Sequence, residues 1–429
     1  MFLGNSSLPD ATSSRHPNTS RQAARSAEAR LFREPTASHA VSLPTLLKGS
    51  GFVLIFAAIL AIFVYGMIAA MLGTILPELS ERFHLTPTQN GTIALVQALG
   101  LMIASLGVGP LLDTQGDKMG LILGLSCIAV ALFLLPRASG YRPVLLLMFL
   151  LGMGGGIVVT GANSLANSVG GQHSAIALNL VNLFFGLGGL ATPFIAANIF
   201  KKNTSRLCYT IASLTVVALI VQAISKMPAP SGNAQFLLAN VGPILGRPLL
   251  FMLGLFLFLY ITCEVGVWNW LPRHLIAQGI PESRALNILS LGFALGLLIG
   301  RVAVSPILAH APAIDVTLGA SIAMAITTFL MLQTNKPGPA FALVFIAGLS
   351  MAPVFPTTLA ITGVAFPRMT GTALGFVITC GWVGLAVSSW IIGAIAGPDP
   401  RRLKKALLIF PASSVLMVIL NLAIRSIIR

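Results

Sequence analysis

The sequence predicts an all-α membrane protein of twelve transmembrane helices in two six-helix halves. Three observations carry this. Hydrophobic residues make up 56% of the chain and charged ones only 9%, with a mean hydropathy of +0.91, whereas about a quarter of an ordinary soluble domain is charged. Apolar stretches long enough to cross about 30 Å of hydrocarbon recur along the chain, and in lipid they must be helical because a helix satisfies its own backbone. The longest polar interruption between them, SKMPAPSGNAQFLLANVGPILGRP, falls near their middle.

The twelve spans are expected at 52–76, 88–112, 119–136, 143–169, 174–200, 207–225, 248–271, 285–310, 313–333, 339–365, 370–397 and 404–426. Residues 1–48, rich in Ser, Thr, Ala, Arg and Pro, have too little apolar content for a core and read as a disordered basic tail. Its opening MFL is not followed by an apolar h-region, so the first span, rather than a cleaved signal peptide, is the expected targeting element. The N-terminal half then covers 49–226, a Pro-, Gly-, Ser- and Asn-containing linker 227–246, and the C-terminal half 247–429. An internal echo supports the division. ALNLVNLFFGLGGL in span five aligns with ALGFVITCGWVGLA in span eleven, matching Ala177 with Ala373, Leu178 with Leu374, Val181 with Val377 and Gly188 with Gly384. Parallel halves of this kind are a common plan for secondary transporters.

The net charge of +15 is spread over tails and short loops, so lipid headgroups rather than nucleic acid are the expected partners. With termini cytoplasmic, twelve basic residues fall inside and thirteen outside, so charge alone does not orient the chain. All four cysteines, Cys127, Cys208, Cys263 and Cys380, lie inside spans without CxxC spacing and read as packing residues. There is no GxxxxGK[ST] or HExxH. No enzyme, metal site or cofactor is expected.

The loop after span two reads GPLLDTQGDKMG, and its Gly109, Asp113, Gly116 and Lys118 fit the spacing of the cytoplasmic signature of the major facilitator superfamily, which the chain resembles over nearly its whole membrane part. Thr114 and Asp117 stand where that signature usually has basic residues. Within the superfamily, GANSLANS, ALNLVNLFFGLGGL, YITCEVGVWNWLP and PTTLAITGVAFPRMTGTALGFV resemble the fucose–galactose–glucose:proton symporter family. The resemblance implies the major facilitator fold, a monomer, cytoplasmic termini in the cell (inner) membrane, and a conformational role for the signature residues. It also implies membrane carboxylates where this chain has Gly73 and Val159, neither of which holds a proton. Either coupling sits elsewhere or transport proceeds without a proton.

Polar side chains recurring at three- and four-residue steps inside apolar spans are the candidates for a solute path. Asn163 and Asn167 share a face of span four, Asn179 and Asn182 one of span five. Amides donate and accept, which suits the hydroxyls of a sugar, and the resemblance places the family's sugar-binding Asn in the span-five pair. The alternative is interhelical hydrogen bonding that holds the bundle together. On span seven, Tyr260, Glu264 and Trp268 follow at four-residue steps, a carboxylate between two rings on which a pyranose can stack; an interfacial belt is the other reading for Trp268 and the preferred one for Trp270. Trp382 in span eleven is a further candidate. Gly292, Gly296 and Gly300 form a small-residue stripe that reads as helix packing, and Arg301 beside them is expected to snorkel toward the cytoplasmic end, with no direct pair to Glu264, and reads as structural, with substrate gating the alternative.

Glu264 is the one acidic residue placed well inside a span, and low dielectric favours the form of a carboxyl that holds its proton. It is therefore the candidate for proton coupling, with direct solute contact as the alternative. The expected function is a secondary transporter moving a small polar solute, a sugar or sugar derivative, by alternating access. The rival readings are a uniporter, an efflux protein for drugs, organic anions or amphiphilic lipids, and a transporter-like receptor. The efflux class often carries GxxxGPxxGG in span five, where this chain has GLGGLATPFI.

Overall fold

Residues 50–200, 203–227, 244–396 and 400–428 are described by the structure, a computed structural model. The expected tail 1–48 and most of the expected linker 227–246 lie outside the described residues. Each expected span is helical. The first set comprises α1 (Ser50–Arg82), α2 (Pro87–Gln115), α3 (Asp117–Leu134), α4 (Tyr141–Gly170), α5 (Ser174–Phe194, extended by a π turn over Ile195–Ile199) and α6 (Thr204–Ile224). The second comprises α7 (Pro248–Ala277), α8 (Glu282–Asn287, a π segment Ile288–Ala294 and Leu295–Leu308), α9 (Ala313–Met331), α10 (Pro337–Met351 and Val354–Ala365), α11 (Thr370–Ala396) and α12 (Pro400–Leu407 and Ile409–Ile428).

Local chemistry explains where these helices begin and break. Thr86 opens α2 with a capping box: its side chain accepts from the Gln89 backbone, the Gln89 side chain accepts in return from the Thr86 amide, and Pro87 sits where its missing N–H costs nothing. Gly116, at φ +83°, turns α2 into α3, a conformation that a side chain would strain. The apolar stretch Tyr141–Thr192 is 52 residues long, far more than one crossing needs. A 3-10 turn over Gly171–His173, with Gly171 at φ +50°, divides it into α4 and α5. Span ten, expected as one helix, is broken after Met351, because Pro353 has no amide to donate there.

Packing within each set follows one plan. In the first, α1 packs on α5, α2 on α4, and α3 on α4 and α6; in the second, α7 packs on α11, α8 on α10, and α9 on α10 and α12. Adding six to each helix number converts the first list into the second. The echo in the sequence is one part of this repeat. A Cβ at Gly188 would run into the Phe63 carbonyl of α1, and one at Gly384 into the Phe258 carbonyl of α7, so both glycines let equivalent helix pairs touch through their backbones. Ala177, Leu178 and Val181, with their partners Ala373, Leu374 and Val377, are all buried. The repeat extends to residues that the sequence reading did not pair: Tyr65 with Tyr260, Pro77 with Pro272, and Pro110 with Pro306. The glycine stripe of α8 packs as expected, Gly296 against the Phe345 carbonyl and Gly300 against Leu349 and Ala352 of α10.

The two sets meet mainly through α2 on α11 and α5 on α8, with α5 on α10 and α4 on α11 completing the seam.

Candidate functional site

The seam is tied at one end of the bundle, where α2, α4, α8 and α10 stop and α5 and α11 start. At its edge, Asp113 of α2 accepts hydrogen bonds from the Gly371 amide at 2.7 Å, the Thr372 amide at 2.8 Å and the Thr372 hydroxyl at 2.6 Å. These are the first N–H groups of α11, which lack helical partners and carry the positive end of the helix dipole. Gly109 makes this approach possible, since a Cβ there would collide with the backbone at Thr372. Lys118 acts inside the first set, donating to the Ala223 and Ser225 carbonyls at 2.6 and 3.0 Å and so closing the end of α6.

A layer deeper, Asn179 of α5 donates to Thr357 of α10 at 3.3 Å and to its own helix at the Ala175 carbonyl at 2.8 Å. Its Oδ1 is buried without a partner. Asn182 donates to Asn163 Oδ1 at 2.7 Å, tying α5 to α4, while Asn163 donates back to the Val159 carbonyl at 2.7 Å. The Asn182 carbonyl in turn accepts from Arg301 Nη1 of α8. Asn167 lies against Gly363 of α10, so it contributes to the seam too.

Arg301 corrects the sequence reading. Instead of snorkelling to the lipid surface it is buried, 6% exposed, and it reaches across to the other half. Its position seven residues before the end of α8 sets it about 10 Å inside the helix, too deep for the stem to reach headgroups easily, and that depth was the available signal. Tyr260 is fully buried, and the group facing its hydroxyl is the Glu264 carboxyl. Glu264, one turn on, is half-buried and has Arg301 and Tyr260 as its electrostatic neighbours. As expected, Glu264 and Arg301 form no ion pair. Elsewhere among the described residues, Arg425 of α12 pairs with Asp315 of α9 at 3.0 Å.

Trp268 meets Phe293 of α8 edge to face, with ring centroids 5.4 Å apart, and is 36% exposed. Trp382 is half-buried, at the level where α11 packs on α7 through Gly381 and Gly384, and its Nε1 has no hydrogen-bond partner among the described residues. Trp270 faces Arg273, whose guanidinium stands 5.8 Å from its ring. Two contributors were not singled out from sequence. Thr357 completes the Asn179 bond, and Tyr65, the counterpart of Tyr260, stacks on Phe185 with centroids 5.3 Å apart. Gly73 and Val159, where the resemblance called for acids, lie one in open space and the other buried.

A seam between two repeated halves, tied at one end and lined by polar groups at mid-depth, is the architecture of an alternating-access carrier. The profile of the Major Facilitator Superfamily matches residues 58–389. The chain belongs to the Major Facilitator Superfamily. Among its relatives, the glucose/mannose transporter of Bacillus subtilis is 24% identical over 378 residues, covering 85% of this chain and 92% of that protein. The glucose/galactose transporter of Brucella abortus is 26% identical over 274 residues, 59% of this chain and 66% of that one. Among solved structures, the superfamily transporter FucP in the outward conformation superposes with a TM-score of 0.77 at 16% identity, covering 86% of this chain and 98% of its own. A proton:xylose symporter superposes with a TM-score of 0.67 at 14% identity, covering 86% and 94%. The twelve-helix superfamily fold is thus shared, and the protein is a multi-pass membrane transporter and not an enzyme.

Proposed function

We propose that this superfamily member carries a sugar or sugar derivative by alternating access, as a monomer in the cell (inner) membrane with cytoplasmic termini, and that the tied end is the cytoplasmic one. The arrangement is then the outward-facing one. The observation that carries the reading is a pair of buried polar atoms around the seam that make no hydrogen bond among the described residues: Asn179 Oδ1 and Trp382 Nε1. Leaving such atoms unpaired costs about 1–3 kcal/mol each. A solute rich in hydroxyls both donates and accepts and so supplies the missing bonds, whereas an apolar amphiphile does not. The named substrates of the Bacillus and Brucella relatives support the same class.

In this reading Asn179, Tyr260, Trp382 and Trp268 contact solute, Asn163 and Asn182 set the position of α5, and Glu264 holds the coupled proton. Counterflow in proteoliposomes tests it, with labelled glucose, mannose, galactose, fucose and glucuronate as the panel. Saturable exchange of at least one is expected. Binding without exchange favours a receptor, and exchange of amphiphiles alone an efflux protein.

A further inference from the structure

Arg301 is a buried guanidinium whose Nη1 is held by a neutral carbonyl and whose Nε–H has no partner among the described residues. The groups around it are few. From α7 come Glu264 and Tyr260, with Cys263 beside Tyr260 turned instead to the Phe410 carbonyl of α12. The described residues of α5 and α10 carry no charged side chain, and those of α11 none beyond the neutral thiol of Cys380. Asp315 and Arg425 of α9 and α12 pair with each other. Asp113, the seam's other carboxylate, is taken up by the start of α11 at the tied end, so among the described residues around Arg301 the one carboxylate is Glu264, which neutralises it only at a distance, an arrangement that is costly in low dielectric unless another anion completes it.

We infer that the solute is a sugar acid, whose carboxylate is held by Arg301 while Glu264 carries a proton. The inference rests on the sugar reading above and narrows it. A planar guanidinium with a free Nε–H presents two parallel donors to the two oxygens of a carboxylate, which neither a neutral hexose nor a hydroxyl matches. The charges then balance. Without solute, Arg301 is offset by ionised Glu264. When the anion arrives, the site would hold two carboxylates against one guanidinium, so Glu264 takes up one proton and the total returns to zero. One sugar acid and one proton cross together, and the cycle moves no net charge.

The test uses the full chain in proteoliposomes, with labelled glucuronate and labelled glucose as probes. Glucuronate is expected to exchange at least ten times faster than glucose, and an imposed pH gradient should drive its accumulation while a potassium–valinomycin potential should not. Arg301→Gln should lower glucuronate exchange at least tenfold and Arg301→Lys should retain part of it, each judged on protein that elutes as a single folded peak. If neither variant can be purified folded, the wild-type comparison decides alone. Exchange of glucose that glucuronate does not inhibit overturns the inference and leaves the sugar reading standing. Exchange of neither probe, with none of the other panel sugars exchanging, removes the sugar reading itself. Glucuronate exchange undiminished in Arg301→Gln, or driven by the electrical potential, also overturns the inference.

Discussion

Asp113 and Thr372 are bound twice, through the backbone amide at 2.8 Å and the hydroxyl at 2.6 Å, and they belong to opposite halves of the molecule. The contact exists only while this end is closed, so it biases the alternating-access equilibrium. Asp113→Asn keeps the shape and removes the charge. Hydrogen bonds to charged groups contribute about 1.5–3 kcal/mol, so the open population at this end should rise about tenfold or more. Alkylation of a cysteine placed at the buried Thr357 reports it. An unchanged labelling rate would count against Asp113 as the tie.

The asparagines should divide by function. Asn182→Ala leaves Asn163 Oδ1 buried without its donor, which costs about 1–3 kcal/mol of stability and should lower the melting temperature of the purified protein. Asn179→Ala removes an amide whose Oδ1 makes no hydrogen bond among the described residues. Its melting temperature should change little while solute affinity falls about 5- to 30-fold, measured by thermal shift against a solute titration. The reverse pattern would make Asn179 the glue and Asn182 the solute contact.

Glycine substitutions check the repeat. At Gly384 a side chain has to displace the Phe258 backbone, so Gly384→Leu should destabilise by about 1–3 kcal/mol or abolish folding, and Gly188→Leu should match it. Gly73→Ala meets nothing within 4 Å and should fold like wild type. Yields of monodisperse protein in mild detergent compare the three.

Much of the fold was legible because lipid leaves the backbone a single solution, so apolar length alone locates helices such as α6 and α9. The break in α10 was not, since a proline inside a span can either kink a helix or be absorbed by it. The candidate site was legible in residue types, Asn179, Asn182, Tyr260 and Glu264, because polar groups in apolar spans are rare. Which of them faces another half is a tertiary property. Asn182 and Asn179 lie three residues apart on one helix, yet one binds Asn163 within its half and the other Thr357 across the seam. Arg301 was misjudged because snorkelling is the usual fate of an arginine near a span end, and its bond to the Asn182 carbonyl depends on how α8 docks on α5.

Glu264→Gln separates proton coupling from solute contact. Glutamine keeps the size and hydrogen-bonding capacity of a protonated glutamate and cannot release a proton. Wild type is expected to concentrate solute under an inwardly directed proton gradient. The variant should lose that accumulation while retaining exchange between equal solute pools, because exchange requires only the loaded carrier to turn over. Since the neutral amide would also leave Arg301 without its distant counter-charge, solute affinity in the variant should become nearly independent of pH, whereas wild-type affinity should weaken as rising pH removes the proton from Glu264. Accumulation by the variant under the same gradient would place coupling elsewhere. A wild type whose uptake ignores the gradient would make the protein a uniporter, with Glu264 serving the solute directly.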